Sequence, residues 1–260
     1  MIIEKTTIDR IEKLRTDYLN SLPEFQELFL ELMICNSDYF VFQVDNNDIG
    51  YAIRNSDGVL IEFHVLDRFI PDCNEFFRKV LNDLSIKEIY CKSFDSLLLS
   101  NCLLMKLPYS IMGLLYRDYV EPLIKKDFSI KMKRADISSV DFLLGQDESI
   151  KELFETKQQL IDFLENEDVF EFYKNEELIG CGMVIRTHPD WNFCDLGVWA
   201  NPLKRGNAFG AQIILNLREY AINNNLKPSC GCAIENYASQ KTIEKNGYVS
   251  KYKMIIFMTK

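Results

Sequence analysis

Residues 201–211, Asn-Pro-Leu-Lys-Arg-Gly-Asn-Ala-Phe-Gly-Ala, constrain this chain more than any other stretch. Phe193-Cys-Asp-Leu-Gly-Val-Trp-Ala200 precedes them and is apolar enough for a strand. Ile213, Ile214, Leu217, Tyr220 and Ala221 follow at the spacing of an amphipathic helix. A strand, a glycine-punctuated basic turn and a helix make an anion site. The first amides of a helix lack intrahelical acceptors, and the helix dipole adds positive potential there. Gly206 and Gly210 permit unusual dihedrals and close approach of a ligand. The same glycines would also suit a plain strand-to-helix turn.

The 260 residues suffice for one large domain or two ordinary ones. A net charge of −9 argues against general nucleic-acid binding, which leaves a basic footprint. No apolar run approaches the ~18 residues of a membrane span, and no secretory leader opens the sequence, so a cytoplasmic protein is expected. Eight cysteines without a leader read as reduced thiols. Cys230 and Cys232 form a C-x-C that no second pair or nearby histidine completes. Small core thiols are expected there, and no metal.

Turn signals divide the chain into strands and helices. Two helical patterns cover 4–35, with Pro23 at the start of the second. Strands are expected at 39–44, 49–54, 59–66, 87–92 and 110–119, with a helix over 71–84. Residues 121–126, Glu-Pro-Leu-Ile-Lys-Lys, suit a linker. A strand at 129–134, a short helix from 136 and a longer one over 149–165 follow. Strands at 169–173 and 178–186 come next. The strand–turn–helix opened above leads to a strand at 228–234, and a short helix runs from near Asn236 to Asn246-Gly247, whose glycine suits a left-handed cap. The closing segment 248–258 is one long strand or a strand pair.

The halves match. Phe40 corresponds to Phe170 and Ile49-Gly50 to Ile179-Gly180, each 130 residues apart, while Cys91 and Asp95 mirror Cys232 and Asn236 at 141. The extra residues fall around the glycine turn, which the first half lacks. This predicts two copies of one unit, with chance likeness of two α+β halves as the competing reading.

The second half resembles the GNAT acetyltransferase superfamily over residues 128–260. The likeness rests on Arg205, Ala208 and Gly210, an acyl-CoA motif of Arg/Gln-x-x-Gly/Ala-x-Gly/Ala. It rests also on Asn236, Ser239, Lys245, Gly247 and Tyr248, an Asn followed by a short helix ending in Gly-aromatic. The stretch 223–232 resembles a bacterial subgroup whose first half is a degenerate GNAT-like domain. The resemblance implies a mixed α+β fold of two tandem GNAT-like domains, 1–125 without a CoA loop and 126–260 catalytic. Each would have a twisted, mostly antiparallel sheet flanked by helices, with a V-shaped splay for acyl-CoA in the second.

It further implies acetyl-CoA as cosubstrate and acyl transfer to a primary amine by direct attack, with a small-molecule or peptide acceptor and a monomer or homodimer. Lys204, Arg205, Gly206, Asn207, Ala208, Phe209, Gly210 and Ala211 would hold the pyrophosphate. Val198, Trp199 and Ala200 would pair with the pantetheine arm, with Asn236 and Ser239 on its far side. Convergent N–H donors and an unpaired strand edge are physically suited to those roles. Many relatives carry a tyrosine seven residues after the Asn, where Ile243 stands here, which leaves the general acid unassigned. Asp195 is the carboxylate of the 193–200 strand and the candidate base. A solvated Asp is the competing reading, and His188, in the His-Pro-Asp-Trp turn, is the second candidate. A CoA-binding sensor or scaffold without turnover is the alternative function.

Overall fold

The computed structural model describes residues 1–154, 156–188 and 191–259. Two compact units emerge: Met1–Leu114 with Tyr252–Lys260, and Leu115–Lys251. The chain changes unit inside a strand, and its last strand packs with the first unit. The expected second domain, 126–260, instead includes that strand.

The first unit begins with β1 (Ile2–Thr6), α1 (Ile8–Ser21) and α2 (Leu28–Ile34). Strands β2 (Asp38–Val44), β3 (Asn47–Arg54) and β4 (Val59–Val65) follow, then α3 (Cys73–Asp83), β5 (Glu88–Lys92) and α4 (Ser96–Leu104). β6 (Tyr109–Tyr116) carries the chain into the second unit. There lie β7 (Asp118–Tyr119), β8 (Lys131–Arg134), α5 (Val140–Leu144), α6 (Lys157–Glu165), β9 (Val169–Lys174), β10 (Glu177–Arg186) and β11 (Phe193–Ala200). α7 (Phe209–Asn223), β12 (Lys227–Ala233), α8 (Tyr237–Lys245) and β13 (Tyr248–Val249) complete it, and β14 (Tyr252–Met258) returns to the first unit.

Two expectations are corrected, and one left open is decided. Pro23 does not start a helix, because the chain leaves α1 in an extended conformation at Leu22 and α2 begins only at Leu28. The helix expected over 149–165 is instead a 3-10 turn at Glu148–Glu152 and α6, each capped by its own side chain, Asp147 and Thr156. Glu155 between them lies outside the described residues. The closing segment is a strand pair, β13 and β14.

The units repeat one topology. β1, β2, β3 and β4 are joined antiparallel in sequence, and β4 meets β5 in parallel. β8 to β11 and the parallel β11–β12 pair do the same. The register agrees: Phe42 faces Gly50, and Phe172 faces Gly180, both 130 positions on. Asp95 caps α4 by accepting from Leu98 N at 3.1 Å, and Asn236 caps α8 by accepting from Ser239 N at 3.0 Å. In the first unit α3 and α4 bury Phe77, Val80 and Leu98 against the sheet, with Phe63, Ile89 and Phe257. In the second, α7 buries Ile213 and Leu217 completely, which fixes its N-terminus beside the end of β11.

Candidate active site

β11 is paired along its whole length with β10, from Arg186–Cys194 to Gly180–Ala200. Its parallel pairing with β12 stops after Phe193–Lys227, Cys194–Pro228 and Asp195–Ser229. Beyond that point the two strands part, so residues 196–200 present an open backbone edge. This is the V-shaped splay expected in the second half. A cleft of about 200 Å³ lies in the gap, between Leu196, Gly197 and Val198 on one side and Gly231 and Cys232 on the other. A wider cleft of about 480 Å³ shares Val198, Trp199, Asn236 and Ser239 with it and extends to the glycine loop.

The loop is built to present donors. Asn201 Oδ1 accepts from Leu203 N at 3.0 Å and starts a 3-10 turn at Pro202–Lys204. Gly206 takes φ +86°, and Ala208 takes a left-handed φ of 58° at the N-cap of α7 without a side-chain cap. Holding a residue other than glycine left-handed costs about 1 kcal/mol or more. Arg205 N donates to Pro202 O and Gln212 N to Ala208 O, but the six amides of 206–211 have no acceptor among the described residues. Such a row of amides at a helix start suits a phosphate. A Cβ at Gly210 would meet only Thr242 Cγ2 at 3.4 Å and Ala200 Cβ at 3.7 Å. The protein would tolerate it, so the space it would occupy belongs to the cleft. Lys204, Arg205 and Lys245 add positive charge to the lining. These features fit the diphosphate and pantetheine of an acyl-CoA.

Asn246 ties the loop to α8: its Nδ2 donates to Ala211 O at 3.0 Å, and Arg218 Nη1 donates to Asn246 O at 2.5 Å. Gly247 then ends the segment at φ +82°, the left-handed residue expected there.

Of the thirteen residues expected to touch the cosubstrate, the structure gathers twelve around the clefts. Val198, Trp199, Ala200, Lys204, Arg205 and Gly206 line them, as do Ala208, Phe209, Gly210, Ala211, Asn236 and Ser239. Asn207 stands apart from the lining, and its Nδ2 donates back to Lys204 O at 3.0 Å. The catalytic candidates lie outside it too. Asp195 sits at the vertex of the splay, where Ser229 Oγ donates to its Oδ1 at 3.4 Å and to Cys194 O at 3.1 Å. The His188 ring is stacked on Trp191, with centroids 4.7 Å apart. Pro189 and Asp190 of that turn lie outside the described residues. Ile243, 2% exposed, forms an apolar wall of the inner cleft.

Sequence reasoning missed the opposite wall. Ser149, Glu152 and Leu153, from the 3-10 turn, line the inner cleft, and Trp199 Nε1 donates to Ser149 Oγ at 3.0 Å. Ser149 is itself held by Asp147, whose carboxyl is kept below its ordinary value by that hydroxyl and amide and by the charge of Arg205. The Asp-x-Ser signal is visible in the sequence, but nothing local says what it faces. Glu152 brings a carboxylate to both clefts. Cys232 is not a core thiol: it is half-buried and faces the inner cleft, while Cys230 is buried as expected. Burial pushes the Cys232 thiol up, against hydrogen bonds with Ser239 and Tyr116. Among the described residues no group of three or more His, Cys, Asp or Glu could hold a metal ion, and no helix is long and apolar enough to cross a membrane.

The repeated half-sheets and the strand splay beside a donor-rich helix start define a tandem protein of GNAT fold. Residues 7–119 match the acetyltransferase (GNAT) domain model. That is the half the sequence reading took as the degenerate copy. Among solved structures, an acetyltransferase of the GNAT family from Colwellia psychrerythraea is similar over 100% of both chains, with TM-score 0.88 and 18% identity. A tandem GNAT protein from the clavulanic acid biosynthesis pathway is similar over 98% of this chain and 97% of its own, with TM-score 0.64 and 11% identity. A GCN5-related N-acetyltransferase from Sphaerobacter thermophilus follows at TM-score 0.58 and 11% identity, over 95% and 84%. No curated protein matches the sequence.

Proposed function

We propose that the second unit is an acetyl-CoA-dependent N-acetyltransferase acting on a primary amine, and that the first is a helper unit without a CoA loop. The observation that carries this reading is the splay of β11 from β12, opening onto six amides without acceptors at 206–211. Those amides, with Lys204, Arg205 and Lys245, would hold the diphosphate. The open edge of 196–200 would hydrogen-bond the pantetheine amides as an added strand does, with Asn236 and Ser239 across the gap. Bound acetyl-CoA supplies a thioester carbonyl; the C–N bond forms as the C–S bond breaks.

The chain's part is positioning and proton handling. An alkylamine has a pKa near ~10 and must lose a proton to attack near neutral pH. Asp195, at the vertex, takes that proton through water; His188, in the turn before β11, and Glu152, in the cleft lining, are the alternative bases. Ile243 has no proton to give, so solvent protonates the leaving thiolate.

Thiol release from acetyl-CoA over a panel of amines tests the proposal. Asp195→Asn should lower kcat at pH 7 by roughly 10²-fold while sparing CoA affinity. Unchanged turnover moves the role to His188 or Glu152. Tight CoA binding with no thiol release for any amine would leave a CoA-binding sensor or scaffold, the reading that the apolar Ile243 favours.

A further inference from the structure

The first unit has a splay of its own. β4 and β5 pair only at Val59–Glu88 and Leu60–Ile89, then part. Glu62 on β4 and Lys92 at the end of β5 have no exposed surface. Glu62 accepts from Arg15 Nη2 at 3.0 Å, from Gln26 at 2.6 Å and from Tyr51 at 2.8 Å. Lys92 Nζ donates to Tyr18 at 2.8 Å and to Gln26. Burial pushes the Glu62 carboxyl up, but the charge and hydrogen bonds of Arg15 outweigh it and hold it below the ordinary value. A pantetheine diphosphate finds no glycine loop here. After β4 the chain passes through Asp67–Asp72, which contains no glycine.

A cavity of about 410 Å³ remains at the end of β4, within the size range of small-molecule sites. His64 lines it at 9% exposure, with its ring against those of Tyr18 and Tyr51 at 5.6 and 5.9 Å. The ring nitrogens of His64 have no hydrogen-bond partner among the described residues and keep accessible surface, so they are open to a ligand in the cavity. Burial lowers the His64 pKa against the pull of Asp95, Asp67, Asp17 and Glu62. A neutral imidazole offers one acceptor nitrogen to an N–H donor. Two carboxylates join it in the lining. Asp95, 1% exposed, already accepts from Tyr18 OH and Leu98 N, and Asp67 is exposed at the rim. Among the described residues no lysine or arginine lines the cavity, and Leu22, Pro23, Ile70 and Phe94 supply apolar wall.

We propose that this cavity in the first unit binds a small organic ammonium ion, its N–H groups directed to His64 and Asp67 and its short hydrocarbon body against Phe94 and Ile70. The proposal is independent of the chemistry assigned to the second unit.

The sequence contains two histidines, so ring-nitrogen NMR of the full chain reads the site directly. The His64 signal is assigned by its loss in His64→Gln, and His188 serves as the internal control. Titration with n-butylammonium chloride should shift the His64 resonances saturably, with His188 unmoved. Asp67→Asn, at an exposed position, should keep the melting temperature and weaken the response at least threefold. Absence of a saturable His64 shift overturns the proposal, as does an equal response to 1-butanol, which has the hydrocarbon without the charge. A shift confined to His188 would put the amine in the other unit. A His64 shift with CoA would make the cavity a second CoA site. Either result also overturns it.

Discussion

Asp168 stands between α6 and β9, where burial pushes its carboxyl up to about 6 and the charge of Arg134 pulls the other way. A carboxyl whose folded pKa lies above its unfolded value favours folding in its neutral form. That contribution is present below the unfolded pKa near ~4 and is lost as pH rises through about 6. Above that, the charged form is a burden. Asp168→Asn should therefore raise stability at pH 8, by about 1 kcal/mol once the partial exposure of the carboxylate is allowed for, and leave it unchanged at pH 3.5. Denaturant titrations at the two pH values check this, and equal gains at both would mean that the carboxylate is not desolvated. Nothing in Glu-Asp-Val-Phe marks residue 168 in the sequence, because desolvation comes from the elements packed around it. The strand–turn–helix that carries Arg205 and Gly210, by contrast, was legible, since it is written in the local backbone.

At the scale of elements, turn chemistry made the hairpins β2–β3 and β9–β10 readable, because Asp-Asn-Asn and Asn-Glu take positive φ at Asp45, Asn46, Asn175 and Glu176. β1 was hidden in a helical pattern that begins only at Ile8. α4, Ser-Leu-Leu-Leu-Ser-Asn-Cys-Leu-Leu, was missed because apolar residues surround it and give no helical period. The wall at Glu148–Glu152 was missed because its role is set by contact with Trp199 rather than by spacing. The loop carries its own test. Gly210 lies in the first turn of α7 with ordinary space for a Cβ, so Gly210→Val should keep the fold within about 1 kcal/mol. The added methyls point into the cleft, and the rise in melting temperature that CoA gives the parent should disappear. A retained rise in a folded variant would place the diphosphate away from this loop.

The whole chain is a duplication in which both copies part their fourth and fifth strands, and only the second follows the splay with a glycine loop. The 130-residue register made the duplication legible. The allocation of the last strand was not, because a closing apolar strand suits either unit equally by pattern. It pairs with β5 from Met254–Lys92 to Met258–Glu88 and buries Met254 and Phe257 in the first unit. Loss of two such buried side chains costs a few kcal/mol by transfer alone, and it also leaves β5 with an unpaired edge. A chain ending at Lys251 should therefore lose amide exchange protection first at 88–92 and along β4. The amides of β10 and α7, whose partners all lie in the second unit, should keep theirs. Mass spectrometry of deuterium uptake resolves these segments. If β10 and α7 deprotect first while β5 stays protected, the last strand belongs to the second unit and the division at Leu114 is wrong.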